Sequence, residues 1–88
     1  MKTQFKASFL KALKKIEENQ LKSEIEYAIL NVESAQNIQQ ISHLKKLKGY
    51  HHCYRIRIGN YRIGIKIEDD TCFFVDFDHR KNIYRIFP

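Results

Sequence analysis

Between Tyr54 and Ile67 the sequence adopts a period of two, and this stretch constrains the fold more than any other. Tyr54, Ile56 and Ile58 alternate with Arg55 and Arg57; after Gly59 and Asn60, Tyr61, Ile63, Ile65 and Ile67 alternate with Arg62, Gly64 and Lys66. Alternation broken by two turn-forming residues is the pattern of a β-hairpin with one apolar face. A two-residue turn sets its register, with Ile58 facing Tyr61, Ile56 facing Ile63 and Tyr54 facing Ile65.

Upstream the period is helical. Phe5, Phe9, Leu13 and Ile16 form a stripe with Leu10 beside it, while Lys6, Lys11, Lys14 and Lys15 lie mostly elsewhere; this predicts an amphipathic helix after a very short first strand. A second stripe, Leu21, Ile25, Ala28, Ile29 and Val32, follows Asn19, the expected N-cap. Residues 37–52 read as a long connection anchored by Leu44 and Leu47, with Gly49 as a turn signal. Downstream of the hairpin, Glu68-Asp69-Asp70-Thr71 predicts a turn. Cys72 to Asp78 predicts a strand apolar on both parities, hence covered on both sides. Asp76 shares the parity of Cys72 and Phe74, a conflict that a β-bulge resolves but that sequence does not locate.

A helical half followed by a sheet half is an α+β arrangement, and 88 residues with 43% hydrophobic content suffice for one domain spanning residues 1–88. Sixteen Lys and Arg against ten Asp and Glu leave a formal charge of +6, which favours polyanions or acidic proteins as partners. No apolar stretch approaches the roughly 20 residues of a membrane span, and the N-terminus lacks the apolar core of a signal peptide. A cytoplasmic location is therefore expected. Cys53 and Cys72 show no paired spacing and are expected to be free, structural thiols.

The polar face of the hairpin is the informative one. The register places Arg57 opposite Arg62, Arg55 opposite Gly64 and Lys66 near Cys53. Like charges directly opposite destabilise a strand pair, unless the face is wet or serves to bind an anion with guanidinium forks. Gly64 is expected to leave room there for a phosphate or a base. Strands need a polar face, and arginine commonly solvates one. Three arginines and a lysine, with no acidic residue among the alternating positions, favour a binding surface. Near the end of the chain, His79-Arg80-Lys81-Asn82-Ile83-Tyr84-Arg85 would put Arg80 and Tyr84 on one side if a helical turn follows the strand.

CYRIRIGNYRI at Cys53–Ile63, preceded by LKKLKG at Leu44–Gly49 and followed by HRKNIYR at His79–Arg85, resembles the RelE/ParE superfamily of type II toxins. The pieces come in the family's order and span nearly the whole chain. The resemblance implies a two-helix hairpin packed on a small twisted, mostly antiparallel sheet of about four strands. In the RelE branch it implies endonucleolytic cleavage of mRNA in the ribosomal A site, with no metal or other cofactor. Position by position, the family's basic hairpin residues fall on Arg55 and Arg57, its third arginine on Arg62, its terminal arginine on Arg80 and its tyrosine on Tyr84. Arg62, Arg80 and Tyr84 are thus the catalytic candidates, and Arg55, Arg57, Lys46, Lys48 and Lys66 the RNA-binding ones. The implied partners are the ribosome, mRNA and a cognate antitoxin, acidic in its toxin-binding segment and held in a hetero-oligomer.

Cleavage without metal would use the ribose 2′-OH as nucleophile, a group DNA lacks. It needs a proton acceptor, cations for the charge building on the phosphoryl oxygens, and a donor for the leaving oxygen. Arginine stays protonated and is a poor base, so Arg55, Arg57 and Arg62 suit the second role. Tyr84 is the expected base, because cations around a phenol favour its ionised form, with Arg80 assisting charge or the leaving group. His79 competes, since an unperturbed imidazole titrates near neutrality. Tyr84 could instead merely close the core. His43, His51, His52 and Cys53 lack the spacing of a zinc site. A rival from another class is a ParE-like toxin that inhibits DNA gyrase by binding, without nuclease chemistry. A third is a decayed toxin that only binds its antitoxin.

Overall fold

The computed structural model describes residues 1–88. In chain order the elements are β1 (Lys2–Phe5), α1 (Ala7–Lys14), α2 (Asn19–Ser34), a 3₁₀ turn (Ile38–Gln40), β2 (Leu44–Lys46), β3 (Cys53–Ile58), β4 (Tyr61–Glu68), β5 (Thr71–His79) and α3 (Ile83–Ile86). The strands form one sheet in the order β1-β5-β4-β3-β2, antiparallel except for the outer pair β1 and β5. The fold is α+β, as expected, with five strands rather than about four. The additional one is β2, inside the stretch read as a connection. Three residues are too few to display a period, and they become a strand by pairing Leu44 with Ile56, Lys45 with Arg55 and Lys46 with Tyr54.

The hairpin takes the register its sequence dictates, Ile58 with Tyr61, Ile56 with Ile63, Tyr54 with Ile65 and Arg57 with Arg62. Its turn has positive φ at Gly59 (56°) but not at Asn60, the pattern of a type II′ turn. The next turn has positive φ at both Asp69 (48°) and Asp70 (63°), which carboxamide and carboxylate residues tolerate better than most. The bulge lies at Val75, where the β4–β5 register shifts so that Ile65 pairs with Phe74 and Gly64 with Asp76. One extra residue keeps Cys72, Phe74 and Phe77 on the apolar face while turning Asp76 and Asp78 to the other.

That apolar face packs on the helices. Leu21, Ile25 and Val32 of α2 are buried at helical spacing, and Phe9 of α1 is 0% exposed. They meet Ile56, Ile63, Ile65, Phe74 and Phe77 in one cluster. Two details differ from the sequence reading. Phe5 ends β1 instead of opening the helical stripe, its ring stacked on Phe74 at 5.1 Å, because parallel pairing with β5 runs through Phe5. The N-cap of α2 is Glu18, with Asn19 its first helical residue and no side-chain cap bond; element ends are uncertain by a residue in sequence because several polar residues there are interchangeable as boundaries.

Both cysteines are free and buried, and burial pushes the Cys72 thiol up to about 12. A thiol kept protonated is a poor nucleophile, so iodoacetamide at pH 8 is expected to leave Cys72 unmodified in the native protein and to label it after denaturation. No helix is long and apolar enough to cross a membrane.

Candidate active site

The face of the sheet opposite α1 and α2 carries the charged residues in rows set by strand register. One row runs Lys45, Arg55, Gly64, Asp76, and the next Arg57, Arg62, Asp78. The acidic ends of these rows were not apparent in the sequence, since they depend on the bulge. Asp78 pairs with Arg62 across β4 and β5, but its carboxylate is taken up by the His79 amide, which it accepts at 2.7 Å.

Two guanidinium groups are tethered to backbone. Arg55 donates to the His43 carbonyl at 3.0 Å, and Nη1 of Arg62 to the Gly59 and Tyr61 carbonyls, both at 2.9 Å. Neutral acceptors orient these cations without cancelling their charge, so both remain able to attract an anion. A cleft of about 370 Å³ opens between them, lined by Lys45, Lys46, Leu47, Lys48, Arg55, Arg62 and Tyr84. Partial burial holds Arg62 below the ordinary arginine value; Arg55 presses the same way, Tyr84 opposes, and Arg57 and Arg80 add smaller contributions. An anion beside Arg62 would act against that shift by favouring the charged form.

Tyr84 is 55% exposed and stands at this cleft, so it does not close the core; Ile83 and Phe87 on either side of it do. Arg80 is exposed in the turn before α3, its amide donating to the Asn60 carbonyl at 2.8 Å. The chain end is therefore tied to the tip of the β3–β4 hairpin, and this tie, not helical spacing with Tyr84, brings Arg80 near Arg62. Lys46 and Lys48 line the cleft, as does Lys45, which the sequence reading did not single out. Its signal would have been the alternation of Leu44 and Lys45, legible only once that stretch is taken as a strand.

Lys66 is placed apart. It lies on the same face of β4 as Arg62, but the Phe87 ring occupies the intervening position above Gly64, so the room expected there for a phosphate or base is filled. Arg57 lies outside the cleft, toward a larger one of about 730 Å³ between α2 and β3 whose lining includes Glu24, Tyr27, Asn31 and His43. Size favours the larger cleft as a binding site, but its charge does not suit a polyanion as the smaller one's does. Cys53 is turned inward while His51 and His52 are exposed, so these three do not converge.

His79 faces the helical side of the sheet. It pairs with Tyr61, whose ring meets it edge-on at 5.4 Å, and its Nδ1 accepts the Lys81 amide at 3.2 Å. The sheet separates it from the arginine cluster, and a base must reach the proton it abstracts. His79→Ala is therefore expected to change RNA cleavage no more than a few-fold, read by primer extension; a loss as large as that from altering Tyr84 would reinstate the imidazole.

Asp76 lies at the margin of the charged face. Burial raises its carboxyl above the ordinary aspartate value, the nearby Ser8 hydroxyl, which donates to the Val75 carbonyl, acts against that, and Asp78 adds to it. A folded-state pKa above the unfolded one means that stability is greatest below the unfolded value and falls as pH rises through the folded value. Asp76→Asn is accordingly expected to raise Tm at pH 7, with the gain vanishing as pH falls below the aspartate range. A gain independent of pH would show that charge is not its source.

Comparisons with known proteins identify the family and the fold. The profile of a family described as ParE toxin of type II toxin-antitoxin system, parDE, matches residues 3–84. Toxin RelE3 of Methanocaldococcus jannaschii is 40% identical over 89 aligned residues, covering all of both chains. A chain of the RelB–RelE antitoxin–toxin complex from Methanococcus jannaschii superposes with a TM-score of 0.80 at 39% identity, covering 96% of this chain and 98% of that one. YafQ from E. coli shares the fold, with a TM-score of 0.71 at 11% identity over 93% of this chain and 96% of that one. The chain belongs to the RelE/ParE superfamily and is a toxin of the type II toxin–antitoxin kind.

Proposed function

We propose that this toxin is a ribosome-dependent endoribonuclease that inhibits translation by cutting mRNA. The observation that carries the reading is the exposed phenol of Tyr84 at a cleft otherwise lined by Lys45, Lys46, Leu47, Lys48, Arg55 and Arg62. The lysines would hold the RNA backbone. Arg55 and Arg62 would neutralise the charge that develops on the phosphoryl oxygens, where fixed cations in a partly desolvated site act most strongly. Tyr84 would take the proton from the 2′-OH as that oxygen attacks phosphorus. As the bond from phosphorus to the 5′-oxygen of the next nucleotide breaks, that oxygen would take a proton from solvent water while Arg80 steadies its charge, and the upstream fragment would end in a 2′,3′-cyclic phosphate. Arg57 would contribute by field, and Lys66 by touching a more distant part of the RNA.

The RNA-holding role has its own test. Replacing Lys45, Lys46 and Lys48 together by alanine is expected to weaken single-stranded RNA binding and to lower the slope of log K against log salt by about 0.7 for each phosphate no longer neutralised. An unchanged slope would place the RNA elsewhere.

The match to a family of ParE toxins supports a second reading, gyrase inhibition by binding alone. A supercoiling assay separates the two, since a gyrase inhibitor blocks it without producing cut mRNA. In either case a cognate antitoxin is the expected partner, by analogy with the 39%-identical RelE of the RelB–RelE complex. A basic cleft suits an acidic segment laid over it as a helix or extended peptide.

A further inference from the structure

α3 is a single turn, too short to hold itself by its own hydrogen bonds, and the Asn82 side chain that precedes it makes no capping bond. Its position is set by what it buries. Ile83 is 0% exposed and Phe87 1%, and with Cys53 they form a second apolar cluster on the charged face of the sheet, flanked by Leu47 and Val75. The Phe87 amide closes the turn onto the Ile83 carbonyl at 2.8 Å. Tyr84, Arg85 and Ile86, between the two anchors, remain exposed.

The seat of Phe87 is a residue without a side chain. Gly64 lies within β4, between Arg62 and Lys66, and its φ is not positive, so backbone conformation does not call for glycine there. A Cβ at this position would stand 2.6 Å from Cγ and Cδ2 of the Phe87 ring and 3.0 Å from Cδ1. Glycine inside a strand is otherwise unfavourable relative to alanine. Its bare backbone here is what lets the ring come down onto the sheet, one row from Arg62 and directly beside Arg55.

We propose that Phe87 and Gly64 are positioning residues for Tyr84, the ring seated on the glycine fixing α3 so that the phenol stands at the arginine cluster. This inference rests on the reading of Tyr84 as the base. One methyl group at position 64 drives the ring off its seat and lifts the turn that carries Tyr84, while Lys45, Lys46, Lys48 and Arg55 stay on the sheet and its connection. Binding of RNA and the chemical step therefore separate.

The test compares wild type, Gly64→Ala, Phe87→Ala and the double variant in a purified translation system, together with the Tyr84 ring resonances of each by NMR. Gly64→Ala and Phe87→Ala are each expected to lower kcat roughly 10- to 100-fold, the cost of misplacing a catalytic group by an ångström or so, with KM little changed. The double variant should lose no more than the worse single one, because both remove the same ring-on-backbone packing. In a Tyr84→Phe background, Gly64→Ala should cost nothing further, which a merely structural role would not predict. Full activity of Gly64→Ala, or losses that add to that of Tyr84→Phe, would overturn the proposal. If the wild type cuts no RNA, the nuclease reading fails and the NMR arm decides alone. Tyr84 resonances displaced in both single variants would uphold the positioning pair, and resonances unmoved in both would refute it.

Discussion

Tyr84→Phe, at equal folded concentration in a purified translation system, is expected to cut mRNA roughly 100-fold or more slowly than wild type, the range lost when a positioned general base is removed. The substitution deletes one oxygen from a side chain that is 55% exposed, so stability should hardly change. Arg62→Ala is expected to fall by a similar factor, since removing a donor from a developing oxyanion typically costs about 100- to 1000-fold. The two changes act on one transition state, so their combination should fall short of the product of the single losses. A fully active Tyr84→Phe would strip the phenol of its role whatever Arg62 does.

Phe74→Ala carries the largest expected effect on stability. Phe74 is 0% exposed, stacks with Phe5 at 5.1 Å and lies 5.3 Å from the Phe9 ring. It therefore joins β1, α1 and the centre of the sheet at one point, immediately before the bulge at Val75. Truncating a buried phenylalanine costs about 3–5 kcal/mol through reduced burial and the cavity left behind. Domains are stable by roughly 0.05–0.15 kcal/mol per residue, so this single change removes a large part of the total. Urea denaturation should show a much lower midpoint, or an unfolded chain without denaturant. A loss below about 1 kcal/mol would mean that the site collapses around the gap, contrary to the packing described.

The hairpin was legible because a period of two and a Gly-Asn turn act together, and a slip of one residue would expose Ile56, Ile63 and Ile65. The α2 stripe was legible for the same reason at helical period. Other features depend on partners distant in sequence. β2 exists through its pairing with β3, and the bulge at Val75 through the need to keep Phe74 and Phe77 on one face. Phe87 closes over Gly64 from 23 positions away, an approach that no local pattern signals.

The site divides along the same line. Arg55, Arg57 and Arg62 share a face by local alternation, and their register followed from the turn. The meeting of Arg55 and Arg62 with Tyr84 requires the chain to return across the sheet after β5, which the resemblance implied and spacing alone did not. Lys45 was overlooked because its strand was, and Lys66 was included because alternation puts it on the same face as Arg62, whereas the Phe87 ring over Gly64 stands between the two. Local order specifies which side chains point together, and the return of the chain end determines which of them share a cleft.

The most direct test of the central claim is to map the ends of mRNA cut by the wild-type protein on translating ribosomes, with and without a single 2′-deoxy substitution at the cut position. The account predicts discrete cuts in the A-site codon, upstream fragments ending in 2′,3′-cyclic phosphate, and no cut where the 2′-OH is missing. Intact mRNA, or cuts that persist at the deoxy position, would contradict it.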